Sequence, residues 1–263
     1  MAARPGRAYH AGVEPVPGSA APGGRAADGR AAGERAPGER APADLGRLHV
    51  ILPLRTIAGG KARLGEVLDA EEREALVAGM LRHELAVLAA WDRAAAVHVV
   101  TLDPALLPVA RAGGAQALLQ VREGLNDALR EARAVAQAGG ATAILVLPGD
   151  LPLLDVAALE GLVEAADAAL AAGAGAPLVV LAPADARDGT NALLAAPPDV
   201  IEPAFGPRSL ELHVRAARDA GASLQLVVDP ALGFDLDTPQ DLDRLDPQRL
   251  SELEALGAAV APA

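Results

Sequence analysis

The chain has 263 residues and no cysteine. That excludes disulfides, thiolate metal sites and a cysteine nucleophile, and it is compatible with a reducing compartment. Aromatic residues are almost as scarce, with two Phe, one Tyr and one Trp. Because 51% of the residues are nonetheless hydrophobic, Ala, Leu and Val must build the core. Long apolar runs are missing too. Ala143 to Leu147 falls far short of the roughly 20 residues that span a bilayer, and Arg4 and Arg7 precede no apolar signal core. These absences predict a soluble, cytoplasmic protein without membrane partners. There is also no surplus of positive charge: the formal net charge is -12. Nucleic-acid binding needs clustered Lys and Arg to neutralise phosphates, so this acidic chain is a poor candidate for it and no nucleic-acid partner is expected. A small phosphorylated substrate remains compatible, because local cations or a bound metal outweigh distant surface charge that salt screens.

What is present falls into a tail and an alternating body. Residues 1–46 are dominated by Gly, Ala, Pro, Arg and Glu, and the run Gly-Glu-Arg-Ala-Pro occurs at 33–37 and again at 38–42. Such a segment cannot bury enough apolar area to offset its chain entropy and reads as a disordered low-complexity tail. Its six Arg against five acids give +1, so the remainder carries about -13. From residue 47 to 248 strands and helices alternate. Leu48–Leu54, Ala95–Leu102, Gln116–Gln120, Ala143–Leu147, Leu178–Leu181, Ala192–Ala195 and Leu224–Val228 read as strands. Asp69 followed by Glu72 resembles a capping box and opens a helix ending near Trp91. Further helices are predicted over Pro104–Ala112, Asn126–Ala136, Val156–Ala172, Pro207–Ala220 and Pro239–Leu245, with residues 249–263 a helical extension or tail. The pattern predicts one α/β domain with a mostly parallel sheet sandwiched by helices. Ligands in such folds bind beyond the carboxyl ends of the strands.

The runs with chemical potential sit at those ends. After the first strand come Arg55, Gly59-Gly60, Lys61 and Arg63. Glycines let backbone N–H groups approach an anion, and two cations can clasp a triphosphate. A solvated basic loop would look the same. It is not a P-loop, because Ala62 stands where a metal-binding Ser or Thr would be. Asp150 follows the most apolar strand in Leu-Pro-Gly-Asp-Leu-Pro, where it can ligate magnesium or cap a backbone N–H. Asp235 and Asp237 are two apart in an extended segment and share a side. Two such carboxylates repel unless a cation lies between them, and magnesium takes one or two carboxylates with phosphates and water. Asp237 or Thr238 ahead of Pro239 is also a good helix cap. Gly206, Ser209 and His213 mark a helix start that can receive an anion; plain capping, with His213 as a packing residue, is the alternative. Thr190, in Asp188-Gly189-Thr190-Asn191, can reach the same anion or simply belong to a turn. Asn126 can contact a base or ribose, or cap its helix. His49 and His98 lie in strands as packing residues, and no pair of histidines has zinc-site spacing.

In this order, Lys-x-Arg-Leu, Leu-Asn-x-Ala-Leu, Gly-Asp-Leu-Pro, Asp-Gly-Thr-Asn, Phe-Gly-Pro-x-Ser and Asp-x-Asp-Thr-Pro resemble the phospholactate and phosphoenolpyruvate guanylyltransferases that make coenzyme F-420 precursors. The resemblance covers about residues 48–246. It implies a nucleotide-diphospho-sugar-transferase-like fold. By position it implies an acceptor pocket at Thr190, Gly206 and Ser209, and magnesium carboxylates at Asp150, Asp235 and Asp237. It also implies a catalytic, nucleotide-phosphate role for Lys61 and Arg63 and a place near the nucleoside for Asn126. Arg55 stands where many relatives have Lys, which alters geometry while keeping charge. The reaction implied joins GMP from GTP to phosphoenolpyruvate and releases pyrophosphate. 2-Phospho-L-lactate and 3-phosphoglycerate are the alternative acceptors. A homodimer and hand-off of product to the next enzyme are compatible with the family. A metal-dependent sugar transferase and a non-catalytic nucleotide-binding module of the same fold are the competing classes.

Overall fold

The computed structural model describes residues 45–54, 61–173, 175–185 and 188–258. The predicted tail up to residue 44, and Arg55, Gly59 and Gly60 of the first loop, lie outside the described residues. Among those described, seven strands form one sheet: β1 (Leu48–Leu54), β2 (Ala94–Thr101), β3 (Gln116–Leu119), β4 (Ala143–Val146), β5 (Leu178–Pro183), β6 (Thr190–Ala196) and β7 (Ser223–Leu226), in the order β3-β2-β1-β4-β6-β5-β7. The helices are α1 (Ala70–Ala90), α2 (Leu106–Ala112), α3 (Leu125–Ala138), α4 (Val156–Gly173), α5 (Ser209–Asp219), α6 (Pro230–Gly233), α7 (Pro239–Arg244) and α8 (Pro247–Ala258).

Alternation along each strand sorts the core into two layers, since successive side chains point to opposite faces. Val50, Leu52, Leu145, Val180 and Leu194 meet Leu81, Leu85 and Leu88 of α1 and Leu159, Leu162 and Val163 of α4 on one face. Ile51, Ile144, Val146, Val179 and Leu193 meet Ala128, Leu129 and Ala132 of α3 and Ala217 of α5 on the other. Covered on both sides, the central strands are mostly apolar, which explains the short continuous runs in the sequence. His49 and His98 take strand positions as expected. Their rings stack 5.2 Å apart, with His49 Nδ1 3.0 Å from His98 Nε2, and both are buried.

All pairings are parallel except those of β6, which runs antiparallel to β4 and β5. The turn closed by Ala184 N–H donating to Gly189 C=O folds β6 straight back along β5. The amino end of β6, Thr190, therefore lies on the same edge as the carboxyl ends of β1 and β4. This single reversal brings a residue that begins a strand to the edge where other strands end.

The Asp69–Glu72 capping box at the start of α1 is present with both hydrogen bonds. The helix predicted from Pro207 begins instead at Ser209, because Gly206 (φ 125°) and Arg208 (φ 60°) hold the chain in left-handed conformations just before it. β7 ends at Leu226, two residues short of its predicted end. At the carboxyl end, α8 packs tightly on α1. Gly257 lies so close to α1 that a Cβ there would come within 1.9 Å of the Ala75 carbonyl oxygen, and Gly79 stands equally close to Leu253. Among the described residues no helix is long and apolar enough to cross a membrane.

Candidate active site

Three of the sequence-predicted residues meet at the carboxyl edge of β1 and β4. Lys61 Nζ donates to Asp150 Oδ2 at 2.5 Å and to Asp237 Oδ1 at 2.6 Å. Lys61 reaches them from a left-handed backbone conformation, φ 53° and ψ 44°, at the head of a 3-10 turn over Ala62–Glu66. A non-glycine residue there costs on the order of 1–2 kcal/mol, so surrounding contacts must hold it. Leu64, fully buried between α1, α7 and α8, is one such anchor. Burial works against the Lys61 ammonium, but the Asp150 and Asp237 carboxylates outweigh it, and the pKa is raised. The group is therefore a largely buried cation at neutral pH. Arg63 stands at the rim, its side chain 71% exposed and 3.7 Å from Asp237 Oδ2.

Each carboxylate is held from behind. Gly149 packs directly on the Leu54 side chain at the end of β1, and Leu151 N–H donates to Glu84 Oε1 on α1 at 3.0 Å. Glu84 is fully buried. Burial, reinforced by the nearby Asp150 charge, pushes its pKa well above the usual carboxylate range. Leu236 N–H donates to Asp150 C=O at 3.1 Å, which docks the 235–237 segment onto the 150 loop. Asp241 in α7 accepts from Asp237 N–H and Thr238 N–H and from the Thr238 hydroxyl, so the cap of α7 also sets the Asp237 backbone. Of the two cap candidates in the sequence, Thr238 caps α7 and Asp237 does not; the Asp237 carboxylate sits on Lys61.

The expected three-carboxylate cluster does not form as such. Among the described residues no group of three His, Asp or Glu side chains stands together in a metal-holding arrangement. Asp150 and Asp237 converge on Lys61, while Asp235 is approached by Asn191 Nδ2 at 3.4 Å. The donor set still fits a hard divalent cation. Asp150 Oδ1 is buried without a hydrogen-bond partner, a second carboxylate is one ammonium away, and magnesium needs only one or two carboxylates beside phosphate and water.

The second cluster lies where β6 starts and α5 begins. Ser209 Oγ accepts from Thr190 N–H at 2.9 Å, and Thr190 Oγ1 lies 3.0 Å from His213 Nδ1. His213 Nε2 accepts from Ala204 N–H at 3.0 Å. The helix start is less open than expected. Ser209 N–H donates to Gly206 C=O and Leu210 N–H to Asp188 C=O, so the hydroxyls, rather than the first backbone N–H groups, are what this corner offers an anion. Gly206 has open space where a Cβ would sit; its φ of 125° is the reason for glycine there. Asn191, next to Thr190, donates to Gly233 C=O as well as toward Asp235, and so bridges the two clusters.

Asn126 has a task the sequence did not suggest. Its amide grips the Phe205 backbone at both ends, accepting from Phe205 N–H at 2.8 Å and donating to Phe205 C=O at 3.1 Å. The side chain thereby ties the start of α3 to the loop before α5. Glu84 was not legible, since an acid within a long helix reads as solvated. Asp241 was missed as well, although its place three residues after Thr238 is the capping-box spacing that marks it.

A family model described as "Guanylyl transferase CofC like" matches residues 48–246. A phosphoenolpyruvate guanylyltransferase from Rubrobacter xylanophilus is 43% identical over 198 residues, covering 74% of this chain and 92% of that protein. A 3-phospho-D-glycerate guanylyltransferase from Colwellia psychrerythraea is 30% identical over 199 residues, covering 76% and 91%. Among solved structures, a protein from Desulfovibrio desulfuricans G20 described as a nucleotide-diphospho-sugar transferase superposes with a TM-score of 0.62 at 18% identity, covering 81% of this chain and 97% of that one. That likeness bears on the fold alone.

Proposed function

The chain belongs to the guanylyl transferase CofC-like family, and from that premise we propose that it transfers the GMP unit of GTP to phosphoenolpyruvate with release of pyrophosphate. Phosphoenolpyruvate is preferred because the 43%-identical relative carries that activity in its name. 3-Phospho-D-glycerate is the second acceptor, on the strength of the 30%-identical relative. Production of coenzyme F-420 precursors is the corresponding role. The observation that carries the reading is the Lys61 ammonium clasping Asp150 and Asp237 from two distant segments at the sheet edge.

An oxygen of the acceptor's phosphate attacks the α-phosphorus of GTP. The new P–O bond forms as the bond from that phosphorus to the β-phosphate bridging oxygen breaks, and the electron pair leaves with pyrophosphate. A phosphate monoester has its second pKa at about 6 and is largely dianionic at neutral pH, so no general base is required. The chain's contribution is positioning and charge neutralisation. Lys61 and Arg63 would hold the phosphates that depart, one from within the site and one from its rim. Thr190 and Ser209 would bind the acceptor's anionic end, with Gly206 shaping the turn beside them. Asp150 and Asp237, with Asp235 adjacent, would hold magnesium, which supplies neutralisation of charge on the α-phosphate and the leaving group.

Mass spectrometry after incubation of GTP and magnesium with each acid separately tests this. A guanosine–diphosphate-linked acid and pyrophosphate are expected with phosphoenolpyruvate. Release of GDP would instead indicate transfer of the γ-phosphoryl group to the acid or to water, and GTP recovered intact with every acid would end the assignment.

A further inference from the structure

His213 is buried and has no part in the reaction as proposed above. It stands on α5 one turn after Ser209, its ring edge-on to Phe205 at 4.8 Å. Its two nitrogens have partners of unequal freedom. Ala204 N–H can only donate, so Nε2 must present its lone pair. A neutral imidazole then carries its single proton on Nδ1, which can only donate to Thr190 Oγ1. The ring is neutral at working pH, because burial lowers its pKa to about 4. The Ala204 amide thus sets the direction of the whole relay, and Thr190 Oγ1 is made an acceptor toward the protein.

We propose that His213 is a positioning residue for the acceptor substrate: by donating Nδ1–H to Thr190 Oγ1, it leaves the threonine's own proton to be donated to the substrate's phosphate or carboxylate. Ser209 is polarised in the same sense, since its oxygen already accepts from Thr190 N–H. Each hydroxyl thus has one lone pair engaged by the protein and its proton left to give, a pairing that favours an anion. The proposal rests on Thr190 belonging to the acceptor pocket.

The conservative variants split the two bonds of the ring. The Asn amide nitrogen overlies Nδ1, so His213→Asn keeps the donor to Thr190 and loses the acceptor for Ala204. The Gln amide overlies Nε2, so His213→Gln keeps the contact with Ala204 and loses the donor. We expect His213→Gln to raise KM for the phospho-acid about tenfold, the weight of one hydrogen bond to a charged group. Its kcat and its KM for GTP should stay within twofold, and His213→Asn should stay close to the parent. The reverse order, with Gln normal and Asn impaired, or equal loss in both substrates' KM values, would overturn the proposal in favour of a loop anchor. Nitrogen-15 NMR of the parent protein reads the tautomer without turnover: protonated Nδ1 with bare Nε2 is expected, and protonated Nε2 would overturn it. Thr190→Val separates the underlying assumption. If it leaves the acceptor KM unchanged, the pocket reading falls and the proposal with it. If it raises that KM while His213→Gln does not, the pocket stands and only the role of His213 is refuted.

Discussion

Replacing Lys61 with Met exposes the electrostatic logic of the site. The ammonium touches Asp150 Oδ2 at 2.5 Å and Asp237 Oδ1 at 2.6 Å, so the two oxygens are no more than about 5 Å apart, where like unit charges repel by about 3 kcal/mol at an effective dielectric of 20. Asp237 is 35% exposed, and water screens part of this, so about 1–3 kcal/mol is expected. Without the ammonium that repulsion loses its nearest counter-charge, so the Lys61→Met protein should melt lower than the parent at neutral pH. Magnesium should restore the melting temperature of the variant more than it raises that of the parent, because the ion replaces the missing charge. Turnover should fall by about 10²–10³-fold even with magnesium, as when one preorganised group is removed from a charge-stabilising site. Thermal melts with and without magnesium and a pyrophosphate-release assay give the readouts. Equal melting temperatures for the two proteins without magnesium would refute the idea that Asp150 and Asp237 depend on a shared cation.

The site and scaffold make further demands. Asp150→Asn should lower kcat at least about 10²-fold with an unchanged circular dichroism spectrum; near-parent turnover would remove Asp150 from the chemistry. Gly257→Ala places a Cβ 1.9 Å from the Ala75 carbonyl oxygen and should cost about 1–3 kcal/mol by forcing α8 off α1, read as a lower melting temperature with KM values intact; an unaltered melting temperature would contradict that seat. Burial beside His49 lowers the pKa of His98 to about 4, below its unfolded value of about 6.5. Protonation therefore favours unfolding, and stability should decline as pH falls from about 6.5 toward 4, by up to about 3 kcal/mol. His98→Gln should flatten that acid limb in a urea titration, and an unchanged limb would exonerate His98.

The layered α/β architecture was legible because its signals are local. Apolar runs of strand length, capping pairs such as Asp69 with Glu72, and punctuating Gly and Pro all act within a few residues of themselves. The antiparallel direction of β6 was not, because Thr190–Ala196 is apolar whichever way it runs, and only the closure of the turn at Gly189 decides. The site residues were legible as residue types at strand ends, but their pairings were not. Lys61 with Asp150 spans 89 positions and with Asp237 spans 176, and no periodicity encodes such separations. Nor was the grip of Asn126 on Phe205 legible, since an Asn at a helix start looks the same whether it faces solvent, a base or another loop. The left-handed conformation of Lys61 was equally hidden, because nothing in Lys-Ala-Arg-Leu marks a positive φ.

The two clusters are anchored on different parts of the scaffold, and this has consequences for how substitutions should be read. Lys61, Asp150 and Asp237 depend on the ends of β1 and β4, on Glu84 of α1 and on the cap of α7. Thr190, Ser209 and His213 depend on the reversal into β6 and on α5. Two amides join the halves: Asn191 between Thr190 and the 233–235 segment, and Asn126 between α3 and the loop that leads into α5. A change confined to one anchor should disturb one substrate's KM, whereas a change at either amide loosens the fixed distance between attacking phosphate and α-phosphorus. Since near-attack geometry enters the barrier directly, Asn191 and Asn126 are the positions where loss of kcat should exceed loss of binding, even though neither is required to touch the reacting atoms.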